Sequence, residues 1–143
     1  MKYNFYKVFT IGSTNRKLFF EAWFVSFFTR IMLIILPFKQ YSKKLGERSK
    51  IAKTENNINS QLVSELTHAI KRAVKYSLWR NKCLEQAITA KKMLKKRNIK
   101  STIFFGVRKP GDNLEAHAWL KVGDTFVVGE RNHETFTVVA FYS

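Results

Sequence analysis

After Asn98 the hydrophobic pattern of this chain changes period, and that switch constrains its fold more than any other feature. Upstream, Leu62, Leu66, Ala69, Ile70 and Ala73 recur at spacings of three and four, which makes one apolar stripe on a helix. A second helix runs from near Asn81 to about Asn98. Its Leu84, Ala87, Ile88, Ala90 and Leu94 face inward. Lys91, Lys92, Lys95, Lys96 and Arg97 cover its outer face and last turn, where cations complement the helix dipole. Downstream, 99–107, 116–122, 125–129 and 136–141 are rich in Val, Ile, Thr and Phe and are separated by turn residues, as strands are. Lys109-Pro110-Gly111-Asp112-Asn113 reads as a loop and Gly123-Asp124 as a two-residue hairpin turn. Helices followed by antiparallel strands define an α+β domain.

The apolar segment from Lys17 to Phe38 precedes this domain. Glu21 and Arg30 divide it into two uncharged runs of eight residues, each short of the ~20 that cross a bilayer. It starts too far into the chain for a signal peptide and lacks a small-residue cleavage site. A buried or partner-facing helix ended by Pro37 is expected. Lys39, Lys43 and Lys44 follow it, so lying on an anionic membrane surface is the alternative. From Ser42 to Ser60 the chain is polar and reads as a linker closed by an N-cap within Asn56-Asn57-Ile58-Asn59-Ser60. The expected organisation is a helical segment over 1–45 and a folded domain over 60–143.

With 45% hydrophobic residues among 143, including 13 Phe, one packed core is expected. The single cysteine forms no internal disulfide, and no Cys/His spacing suits zinc. A reducing cytoplasmic setting with no metal or cofactor is the expectation. The net charge of +16 favours anionic partners. No RNA-binding or helix-turn-helix signature accompanies it, so nucleic acid is not expected.

The chemistry centres on Cys83. If Asn81 caps the second helix, Cys83 falls in its first turn, where free N–H groups and the dipole favour a thiolate. Arg80 and Lys82 would add positive charge, and the Cys83 N–H could donate to an oxyanion. A lone cysteine is also a small buried hydrophobe, so the case needs a base. His117, in Ala116-His117-Ala118-Trp119-Leu120, supplies one on a strand.

Register suggests the third member. A Gly123-Asp124 turn pairs Val122 with Thr125 and Lys121 with Phe126. Continued without interruption, it sets Glu130 opposite His117, with Cβ atoms about 4.5–5.5 Å apart. Glu130 would then orient the imidazole. Asp124 lies at the hairpin tip, too distant, and Asn132 lies past the strand end. His68 and His133 read as solvated, Trp119 as core, and Trp79 as core or as a wall of the site.

The runs LWRNKCLEQAITAKKMLKKRNIKSTIFFGVRK, AHAWLKVGDTFVVGE and FTVVAFY, with the opening helix that ends in Leu36-Pro37-Phe38, resemble the transglutaminase-like leader peptidases of lasso-peptide biosynthesis. That resemblance implies a transglutaminase/papain-like domain with Cys83 as nucleophile and His117 as base. Members of that family place an aspartate shortly after the histidine strand, where this chain has Gly129-Glu130. The resemblance further implies a lasso precursor peptide as substrate, a separate leader-recognition protein, and an ATP-dependent lasso cyclase that takes the product. Two rivals stay open: an acyltransferase of the same fold that uses an amine in place of water, and a non-enzymatic basic module for membrane or nucleic acid.

Overall fold

In a computed structural model, which describes residues 12–53 and 58–143, four helices precede a four-stranded antiparallel sheet. Helix α1 spans Ser13–Ile35, α2 Phe38–Ser42, α3 Ser60–Tyr76 and α4 Cys83–Lys95. Strands β1 (Thr102–Arg108), β2 (Glu115–Val122), β3 (Thr125–Val128) and β4 (Thr137–Tyr142) follow, with a 3-10 turn at His133–Thr135 between the last two. The sheet order is β3-β2-β1-β4. The α+β expectation therefore describes the molecule.

Local sequence accounts for the helix ends. Asn59 caps α3, its side-chain oxygen accepting from the Leu62 N–H at 3.0 Å. Leu36 precedes Pro37 and takes an extended conformation, which stops α1. Helices α3 and α4 present Val63, Leu66, Ile70, Ile88 and Leu94 to one face of the sheet, where Ile103, Ala118, Leu120 and Val127 meet them. Full burial of each Leu or Ile is worth about 1.5–3 kcal/mol, so this sandwich is the main stabilising element.

Two expectations about the surface need correction. Lys91 does not lie on a solvated outer face: it is buried and donates to the Ser101 carbonyl at 2.9 Å. Burial, with some repulsion from Lys95, pulls its ammonium down to about 8. The segment after Ser42 is no free linker in its described part. Leu45 is buried, Arg48 bridges to Tyr142, and the Ser49 N–H donates to the Phe141 carbonyl, so this stretch runs along β4. Gly46 at φ +117 lets it do so, because a Cβ there would collide with the Ser143 carbonyl. Residues 54–57 lie outside the described residues.

Helix α1 departs most from a simple reading. Leu18, Phe19 and Ala22 are buried, but much of its remaining attachment is polar. Arg97 grips Glu21 through two hydrogen bonds of 3.0 and 2.7 Å. Arg30 donates to Glu85 at 3.2 Å, and Lys92 donates to the Thr29 hydroxyl at 3.0 Å. The Glu21 carboxyl is held below its usual range, chiefly by the hydrogen bond from Arg97. The two charges that seemed to interrupt an apolar segment are thus its docking contacts. Meanwhile the 23-residue helix is long and apolar enough to cross a membrane, with mean hydropathy 1.8 over its best window.

Candidate active site

Cys83 is the first residue of α4 and is half-buried against the core. The N-cap is Lys82, one residue later than Asn81, the expected cap. The Glu85 carboxylate accepts from the Lys82 backbone N–H at 3.2 Å and so fixes the first turn. Arg30 and Arg80 approach the same buried carboxylate, at 3.2 and 3.7 Å. Arg80 is therefore spent on Glu85, which tethers the loop leading into Cys83. The first-turn N–H groups remain the positive element next to the sulfur.

The residues before Cys83 are clamped by α1. Trp79 sits edge-on to Trp23 and Phe27, with ring centroids 4.7 and 5.1 Å apart. It thus packs on the N-terminal helix. Asn81 was expected to cap the helix; its amide oxygen and nitrogen are instead buried with no hydrogen-bond partner. A buried amide left unpaired costs free energy, and this one lies two residues before Cys83. That proximity was visible in the sequence; the freedom of its side chain was not.

His117 lies on the other face of the sheet. Ala118, Leu120 and Val122 point into the helical core, so His117, Trp119 and Lys121 alternate outward. There the His117 ring lies 5.8 Å from Trp119 and 5.1 Å from Phe136, with Phe104 stacked on Trp119 at 5.7 Å. Gly106, paired with His117 across β1–β2, makes room for this layer: a Cβ there would come within 2.9 Å of the Trp119 ring. The Arg108 guanidinium closes over Phe136 at 4.5 Å.

The imidazole is oriented by backbone. Nε2 of His117 lies 2.8 Å from the Gly129 carbonyl, a contact in which the ring N–H donates. Nδ1 then carries the lone pair, the arrangement a general base requires.

The expected His117–Glu130 register is corrected. Lys121 pairs with Phe126 and Val122 with Thr125 as expected, but a bulge between Leu120 and Lys121 moves Leu120 onto Val128. The strand then ends at Gly129, at φ +77. Glu130 is exposed, and among the described residues no ion pair joins it to His117. Asp124 stands exposed at the hairpin tip. Asn132 sits in a left-handed turn, and His133 contacts the Glu130 carbonyl and the rings of Trp119 and Phe126. His133 therefore belongs to the aromatic layer and is only half-exposed; His68 is exposed as expected.

Helix α4 begins at Cys83 and leads through a short connection into β1, and His117, the third residue of β2, pairs with Gly106 of β1. No hydrogen bond joins the two side chains. A helix-start cysteine and a strand-borne histidine are the residue types that cysteine-dependent acyl transfer uses. The family model for the transglutaminase-like superfamily matches residues 32–140, and the chain belongs to that superfamily. Searches of curated proteins and of solved structures gave no match. The superfamily generally comprises cysteine-dependent enzymes, and its domain is compatible with a cysteine peptidase or an acyltransferase.

Proposed function

We propose that the protein is a cysteine peptidase that removes the leader from a lasso-peptide precursor. The observation that carries a Cys/His mechanism is the His117 orientation: with Nε2 occupied by the Gly129 carbonyl, Nδ1 is the nitrogen available to a thiol. Nδ1 takes the Cys83 proton while sulfur attacks the carbonyl carbon of the scissile peptide. The oxyanion is met by the Cys83 N–H. Collapse breaks the C–N bond, and the imidazolium gives its proton to the departing amine. The thioester of the leader is then attacked by water, whose proton passes to Nδ1, and Cys83 is regenerated with a free carboxylate on the leader. The similarity of the WRNKCLEQ and AHAWL runs to the lasso leader peptidases supports the substrate. On that reading a leader-recognition protein presents the precursor, and an ATP-dependent cyclase uses the freed amine.

Two measurements test this. Alkylation of Cys83 by iodoacetamide at neutral pH should slow at least tenfold in His117→Ala, if the two groups are coupled. Precursor incubated with the chain and a labelled amine should give hydrolysis products, and Cys83→Ala should give none. Amine incorporation would favour the acyltransferase, and full cleavage by folded Cys83→Ala would end the cysteine mechanism.

A further inference from the structure

Helix α1 packs Leu18, Phe19 and Ala22 against the domain and also turns its polar residues inward. Glu21, Ser26, Thr29 and Arg30 face the domain, and Phe20, Phe24, Phe27, Phe28, Ile34 and Ile35 face out. At 100° per residue these six share an arc of about 120°, a continuous stripe along a helix about 35 Å long. Phe28 is 57% exposed and Ile35 67%, so the stripe is left open among the described residues. A stripe of that size on an isolated soluble domain marks a contact surface.

The charge around it identifies what it meets. Lys17 is exposed at its N-terminal end, and Lys39, Lys43 and Lys44 are exposed just past its C-terminal end. Glu21 is the one carboxylate between residues 12 and 45, and it is held by Arg97 and Lys96. An apolar stripe with cations at both ends and no free anion matches the interface of an anionic bilayer, where rings enter the acyl boundary and ammonium groups meet phosphates. A transmembrane path would tear Glu21 from Arg97 and Arg30 from Glu85 and leave both charges in hydrocarbon. We infer that α1 lies in the plane of an anionic phospholipid surface with Phe24, Phe28 and Ile35 inserted, holding the domain on the membrane as a peripheral protein.

Flotation of the full chain with vesicles tests this directly. The chain should float with mixed phosphatidylcholine/phosphatidylglycerol vesicles and partition at least tenfold less onto pure phosphatidylcholine. Phe24→Ser/Phe28→Ser/Ile35→Ser should lose binding by tenfold or more with unchanged circular dichroism, since none of the three supports the core. Lys39→Gln/Lys43→Gln/Lys44→Gln should keep neutral-vesicle binding and lose most of the anionic preference, by on the order of tenfold to a hundredfold. Cys83→Ala should float like wild type, which separates this inference from the peptidase reading. Three results would overturn it: folded wild type that stays with the soluble fraction; binding indifferent to the serine variant; or resistance to alkaline carbonate, which marks a span. A wild-type dimer that ignores vesicles and becomes monomeric in the serine variant would assign the stripe to a second copy.

Discussion

The two faces of the sheet are built from different materials. The inner face is aliphatic, with Ile103, Leu120 and Val127 nearly inaccessible beneath α3 and α4. The outer face is aromatic, with Phe104, His117, Trp119 and Phe136 in mutual ring contact. The first face can tolerate no gap, because the layers on both sides are rigid elements. The second is built from ring contacts that include Phe136 and His133 of the segment after β3. Stability resides mainly in the inner face, and the imidazole is aimed by the outer one.

Leu120→Ala offers the sharpest contrast. It should cost about 2–5 kcal/mol in urea unfolding, as a cavity in a close-packed core does. Phe136→Ala, on the outer face, should cost below about 2 kcal/mol while lowering turnover more than tenfold, because it uncovers the His117 ring. Equal stability losses would erase the distinction between the faces.

Gly106→Ala sharpens it further. The added methyl would meet the Trp119 ring and the Phe136 Cβ, 2.8–2.9 Å away. Overpacking of this kind costs about 1–3 kcal/mol. Turnover should fall about tenfold, with KM little changed, because the disturbance reaches the base and leaves the inner layer alone.

Glu130→Gln separates two accounts of how the base is aimed. If the Gly129 carbonyl orients His117, the rate should change by less than about threefold, as for an exposed side chain. A drop of tenfold or more at unchanged stability would give the orienting role to Glu130.

The smallest effect concerns Lys91, on the inner side at the opposite end of α4. Its folded pKa, about 8, lies below the ordinary 10.5. Between those values the unfolded chain binds more protons, so stability should rise with pH there and stay level below. Thermal melts from pH 7 to 9.5 should show a small upward slope that Lys91→Met removes.

Much of the inner face was legible in the sequence. The stripe on α3, an N-cap within 56–60, the hairpin turn and the approximate strand spans follow from period and turn chemistry, which are local. The outer face was less so. One bulge between Leu120 and Lys121 shifts the register, and alternation of residue types gives no warning of an extra residue. Asn81 was read as a cap because the competing Glu85 contact with the Lys82 N–H depends on Arg30 and Arg80 holding that carboxylate. The polarity of α1 was hidden for a related reason. Glu21 and Arg30 look like interruptions until Arg97 and Glu85, 76 and 55 positions away in sequence, come against them.

The placement of the three tryptophans has an optical consequence. Trp23 and Trp79 lie 4.7 Å apart at 67°, close enough for their excited states to couple and give a paired near-ultraviolet dichroism band. Trp119 is buried on the far side of the sheet and does not join that pair. Detachment of α1 would abolish the coupled band while Trp119 emission stayed blue. Rearrangement around His117 would move the emission and spare the band. One unlabelled sample therefore reports separately on helix α1 and on the environment of His117.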